Sequence, residues 1–192
     1  MSKPDTQRHD DPIDGLHRFT ARLLRPVKPG AGDSWGFVVL PREVSERLPR
    51  RGRTTVVGTI NGKPFQQTLE PDGNLSHWLL VDGDLQRIAK ARIGDDLVLA
   101  LRPVAQEPEP DVPADLQEAL RAVPEANQTW TDTTTIARVD WIHWISSAKQ
   151  AKTRDKRIRD AIDKLAAGHR RVCCFDPSGY YSKALRAPEA AA

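Results

Sequence analysis

Three groups of residues in this chain could do chemistry. From Lys149 to Arg171 the sequence carries Lys149, Lys152, Arg154, Lys156, Arg157, Arg159, Lys164, Arg170 and Arg171 against only Asp155, Asp160 and Asp163. Such a surface can neutralise phosphates, by counterion release on nucleic acid or by attraction to an anionic membrane. Arg42, Arg47, Arg50, Arg51 and Arg53 form a second cationic cluster. The third is Cys173 and Cys174, preceded by His169, Arg170 and Arg171; a thiolate near positive charge is a nucleophile, and thiolate with imidazole is half of a zinc site.

Each group has a plainer reading. The first can be a solvated helix face, partly paired with its own aspartates or docked on acidic residues elsewhere. The arginine cluster can serve loop solubility. A closed zinc site needs about four ligands, and no second pair accompanies His169 and Cys173, so burial in a short strand is the simpler role for the thiols. Of the other acid-base groups, His143 lies between Trp141 and Trp144 and reads as a packed or rim histidine. His77 and the Asp95-Asp96 pair complete the set, and Asp95 follows Gly94 at a turn, where carboxylates cap backbone amides. The sequence contains no glycine-rich phosphate loop, nucleophile elbow or metal-binding pair of histidines. No catalytic site, metal or cofactor is therefore expected.

The whole chain limits the classes further. Its 192 residues suffice for one ordinary domain or two small ones, with 39% apolar and 29% charged residues, as in soluble globular proteins. The net charge of +3 is too small by itself to demand a nucleic-acid partner. No stretch approaches the roughly 20 apolar residues that cross a bilayer, and the polar first dozen residues lack a signal-peptide core. Neighbouring cysteines would form a strained ring if bridged, so they are expected as reduced thiols in the cytoplasm.

The elements that must position these residues can be read in order. His17 to Pro26 alternates as a half-buried strand, Gly30, Gly32 and Asp33 make a loop, and Trp35 to Leu40 is a buried strand. A short helix begins at Pro41 and stops at Pro49. Arg53 to Ile60 and Lys63 to Leu69 flank Asn61-Gly62, the strongest hairpin signal, because both turn positions need positive φ. After Pro71-Asp72-Gly73-Asn74 come a strand over Leu75 to Val81, a helix over Asp84 to Ala91, and a strand over Leu97 to Pro103. This is strand, strand, helix, strand, used twice. A slide of about forty residues lays Ser34 to Val39 over Ser76 to Val81 and Gly52 over Gly94, as an internal repeat that closes a barrel would require.

Val104 to Pro113 is acidic and proline-rich, which predicts an extended linker. Beyond it, the spacing predicts a helix over Ala114 to Ala122. A longer helix, capped within Thr131 to Thr135 and running to about Ala148, presents Val139 or Ile136, Trp141, Trp144, Ile145 and Ala148. A last helix over Ala151 to Ala167 buries Ile158, Ala161, Ile162 and Leu165 and ends at Gly168. A short strand is expected over Arg171 to Phe175, and disorder from Ala187.

These residues carry a resemblance. The segments GFVVLP, VVGTINGKPF and IGDDLVL resemble a bacterial domain of unknown function with a double-split, AbrB/MazE-like pseudobarrel. WIHWISSAKQAKTRDKRIRDAIDKLAAGHR resembles the bacteriocin-protection, YdeI or OmpD-associated family, through Trp144-Ile145, Ala148-Lys149, Thr153-Arg154 and Arg157-Ile158 in the family's order. Ala151 stands where that family often has a proline, and Ile142-His143 where it is often basic. The resemblance implies a link to envelope stress or bacteriocin tolerance and transfers no catalytic residue. The barrel likeness implies, by analogy with dimeric AbrB-like proteins, that arginines on this scaffold contact DNA.

The resulting expectation is an α+β protein. A disordered N-terminus over 1–15 precedes a β-barrel domain over 16–104, an acidic linker over 105–113, a basic helical module over 114–175 and a C-terminal tail over 176–192. The expected function is that of a non-catalytic binding or adaptor protein; a nucleic-acid-binding regulator and a thiol-dependent enzyme are the alternatives. Candidate partner- or phosphate-binding residues are Lys149, Lys152, Arg154, Lys156, Arg157, Arg159, Arg50, Arg51 and Arg53, facing an anionic or protein partner with nucleic acid among the candidates.

Overall fold

The computed structural model describes residues 15–28, 35–172 and 185–191. The N-terminus up to residue 14, the glycine loop at 29–34 and the stretch holding Cys173 and Cys174 lie outside the described residues.

Six strands and two short helices occupy the first hundred residues: β1 (His17–Arg22), β2 (Gly36–Val39), α1 (Arg42–Ser45), β3 (Thr54–Ile60), β4 (Lys63–Pro71), β5 (His77–Val81), α2 (Gly83–Ala89) and β6 (Asp96–Pro103). All pairings are antiparallel, in the order β1-β6-β3-β4-β5-β2. Leu24, just past β1, exchanges two hydrogen bonds of 2.9 Å with Phe37 in β2, so the sheet nearly closes on itself. Closure removes the open edges that would otherwise pair with other chains. Exchanging β1 with β4, β2 with β5 and β3 with β6 maps this strand order onto itself, which is the doubled motif expected from the sequence.

Local chemistry sets the corners. Asn61 and Gly62 take φ of 48° and 76°, as the two-residue hairpin needs. The Asn61 side chain adds long-range bonds, accepting from the Val98 amide at 3.0 Å and donating to the Ala89 carbonyl at 3.2 Å. Asp72 accepts from the amides of Asn74 and Ser76, both at 2.7 Å, and holds the turn in which Leu75 has φ of 69°. Gly58 sits where β3 passes closest to β6: a Cβ there would lie 1.9 Å from the Ala100 carbonyl oxygen. The interior is aliphatic, built around Leu69, Leu79, Leu97, Leu99 and Leu101.

The second part is helical, with α3 (Ala114–Ala122), α4 (Pro124–Thr131), α5 (Thr135–Ser146) and α6 (Ala151–Ala166). Helix α4 is an addition to the sequence reading: Pro124 opens it, and only Ala126 and Trp130, one turn apart, are buried, so its apolar stripe is too thin to read. The core gathers Leu116, Trp130, Trp141, Trp144, Ile145 and Leu165. Trp141 and Trp144 meet edge to face with ring centres 6.1 Å apart. Gly168 follows the end of α6 at φ of 83°.

Residues 104–113 form no helix or strand and are tied to both parts. Glu107 accepts from the Thr55 amide at 3.2 Å, and Glu109 binds Arg138 through both oxygens at 2.7 Å. The disorder expected from Ala187 is not what forms. Arg25 and Val27, unpaired after β1, bond at 2.8 Å to Ala191 and Glu189, and Ala187 donates to the Asp72 carbonyl at 3.0 Å. Backbone left over by the barrel thus recruits the end of the chain.

Candidate functional site

Arg53 organises the junction of the two parts. It precedes β3, its side chain is only 2% exposed, and it donates to Glu70 of β4 at 2.8 Å and to Asp140 of α5 at 2.6 Å. Burial works against its charge, but Glu70 and then Asp140 outweigh burial and raise its pKa. Burial raises the pKa of Glu70, with Arg53 pulling the other way. The loop before Arg53 is fixed by His77, whose Nε2 donates to the Gly52 carbonyl at 3.0 Å. A carbonyl only accepts, so Nε2 carries the proton of that bond, and the Ser45 hydroxyl bonds the other ring nitrogen, Nδ1. His77 and Ser45 are both buried, and no local pattern announces their pairing across 32 positions.

The remaining candidates divide by employment. Arg154 forms a bidentate pair with Asp115 at 2.7 and 2.9 Å, and this bond lowers the Asp115 pKa. Arg157 donates to the Trp144 carbonyl and, at 2.9 Å, to Ser147, with its guanidinium 5.2 Å from the Trp144 ring centre. Lys156 pairs with Asp160 at 2.6 Å. Lys149, Lys152 and Arg159 are exposed. Arg50 lies 3.6 Å from Glu107, and Arg51 is exposed beside a hollow of about 250 Å³ that Ser45 also lines. Arg53, Arg154 and Arg157 thus each have partners within the molecule.

Beside Arg53 lies a cleft of about 680 Å³ between the barrel and the helical part. Arg50 and Arg53 line it from the barrel side, Thr135, Ile136 and Ala137 from the first turn of α5, and Arg171 from beyond α6. Thr134 is the N-cap of α5 and its side chain makes no cap bond, while the Thr135 hydroxyl at the same turn donates to Glu109 at 2.7 Å. The uncapped start of a helix favours negative charge, as do the arginines around it. Two carboxylates, Glu107 and Asp140, also border the cleft, and both already face arginine.

On the other side of Arg53 is a smaller hollow of about 210 Å³, bordered by Thr68, Glu70, Trp78, His143 and Arg186. Arg53 and Leu185 line both spaces. Trp78 and Leu80 point out of the barrel here, and the Trp78 indole N–H is buried with no hydrogen-bond partner among the described residues. His143 keeps part of its ring in solvent, yet burial of the remainder, then Arg53 and Arg157, hold its pKa down to about 4 against an opposing effect of Asp140.

Among the described residues, no group of three or more His, Cys, Asp or Glu could hold a metal, and no helix is long and apolar enough to cross a membrane. The structure therefore defines an α+β protein in which a nearly closed antiparallel barrel carries a helical appendage. Residues 109–168 match the family described as Bacteriocin-protection, YdeI or OmpD-Associated, and residues 19–101 match the Domain of unknown function (DUF1905). The helical part is similar to the first family and the barrel to the second, in agreement with the resemblance seen in the sequence. No curated protein matches the chain.

Proposed function

We propose that the chain is a non-catalytic binding protein, and that the cleft between barrel and helical part takes an anionic ligand. One observation carries this reading. Arg50, Arg171 and the uncapped first turn of α5 come from three separate segments and converge on one space of about 680 Å³. That volume falls within the usual range of small-ligand sites, about 300–1,000 Å³. The description of the helical family names bacteriocin protection, and we extend to this chain the role of a binding or adaptor component in that tolerance. A reducing compartment, expected from Cys173 and Cys174, fits this role.

The test is thermal unfolding in inorganic phosphate against sodium chloride at equal ionic strength. Phosphate raises the Tm of the wild-type chain, and Arg171→Ala removes most of the rise. An equal Tm in both salts would contradict the reading.

One arrangement favours a second reading, binding to nucleic acid. Lys152, Lys156 and Arg159 recur at helical spacing along α6, Lys149 lies just before it, and all four are exposed. If this face binds DNA, affinity falls with salt at a slope near −0.9 per phosphate contacted, and removing Lys149 and Lys152 flattens the slope. No binding at low salt would dismiss it.

A further inference from the structure

Each acid that borders the larger cleft is matched to an arginine, but the two matches differ in strength. Asp140 is bonded to the buried Arg53 at 2.6 Å, and Glu70 holds the same guanidinium at 2.8 Å. Neither carboxylate can let go without leaving charge unpaired in a buried place, so this triad is a fixed wall. Glu107 and Arg50 stand 3.6 Å apart, beyond the reach of a hydrogen bond, although the Arg138–Glu109 and Arg154–Asp115 pairs close to 2.7 Å. Their surroundings are also unequal. Arg50 keeps 37% of its side chain in solvent, whereas Glu107 keeps 12% and accepts from the Thr55 amide at 3.2 Å. The carboxylate is therefore anchored to the barrel, and the guanidinium is the partner able to turn. With Arg53 committed, Arg50 and the exposed Arg171 supply the charge that an anion in the cleft would meet. Glu107 borders the same space, so an anion drawn to Arg50 contends with a carboxylate already there.

We infer that Glu107 is an internal competitor for the cleft: its carboxylate holds Arg50 while the site is empty, and an anion binds by taking Arg50 from it. This rests on the reading of the cleft as an anion site. The exchange is accessible because a partly exposed ion pair is worth only about fivefold or less in an equilibrium. A single carboxylate gains little by replacing another, so the exchange favours a doubly charged group such as phosphate.

Calorimetric titration of the full chain with inorganic phosphate tests the exchange in the wild type, Glu107→Gln and Glu109→Gln. Glutamine at position 107 keeps an acceptor for the Thr55 amide and removes the charge that holds Arg50, so phosphate binds about threefold to fivefold tighter. A damaged fold weakens binding, so a gain does not come from damage. Glu109, two residues along, faces Arg138 and does not line the cleft. Glu109→Gln removes the same unit of charge and, screened by salt, changes phosphate affinity by less than about twofold. If Glu107→Gln binds phosphate no tighter than the wild type, or if Glu109→Gln tightens it equally, Glu107 does not compete for Arg50 and the anion cleft stands. If neither the wild type nor Glu107→Gln binds phosphate, the anion cleft fails and the competition with it.

Discussion

The barrel and the helical appendage are held together by different physics. The barrel closes through backbone ladders around an interior of aliphatic side chains, with no tryptophan in its core. The appendage has no backbone ladder between its elements and rests on Trp130, Trp141 and Trp144, with Arg154 and Arg157 stapling α6 to α3 and to the end of α5. Cationic side chains are scaffold in the appendage, whereas backbone geometry is scaffold in the barrel. A basic stretch in a sequence can therefore be structural mortar as readily as a binding surface.

Four changes test that contrast, in order of expected effect. Trp141→Ala removes a fully buried ring from the appendage and costs about 3–5 kcal/mol. Denaturation followed by tryptophan fluorescence and by β-sheet circular dichroism then separates, the appendage unfolding first. Coincident transitions would show that the two parts are energetically one. Gly58→Ala sets a Cβ against the Ala100 carbonyl and strains the β3–β6 ladder by about 3 kcal/mol. Its loss appears in the circular dichroism signal, and a variant as stable as wild type would mean that the strands part there at little cost.

Asp140→Ala takes one carboxylate from Arg53 and leaves Glu70, a loss of about 1.5–3 kcal/mol for a hydrogen bond to a charged group. Calorimetry shows two transitions in this variant if Arg53 is what joins the parts. The last change is in pH. The folded pKa of His143 lies below its ordinary 6.5, so the unfolded chain binds its proton first as pH falls. The contribution of neutral His143 is complete above about pH 6.5 and is lost progressively toward pH 4. Tm therefore falls over that window in the wild type, and His143→Gln shows a shallower fall; the partial exposure of the ring keeps the difference small.

The same contrast explains how much was legible beforehand. Alternating apolar positions and Asn61-Gly62 mark strands and a hairpin whatever lies around them, so the strands, their sequence along the chain and the doubled motif could be read from residues alone. Gly168 and the stripe of Ile158, Ala161, Ile162 and Leu165 did the same for α6. Helix α4 escaped because Ala126 and Trp130 are a pair, too few to show a period. The site was far less legible. Whether Arg53, Arg154 or Arg157 faces solvent depends on Asp140, Asp115 and Trp144, partners set by the fold and not by nearby sequence. The cleft itself joins Arg50 to Thr135 and Arg171, and nothing in local composition links positions so far apart.

The most direct measurement is an NMR titration of the 192-residue chain with inorganic phosphate, following backbone amides. An anion held between the barrel and α5 shifts the amides of Thr135, Ile136 and Ala137 and the side chain of Arg171, and leaves Lys149 to Arg159 still. Shifts confined to Lys149, Lys152 and Arg159, with the α5 amides unmoved, would contradict it.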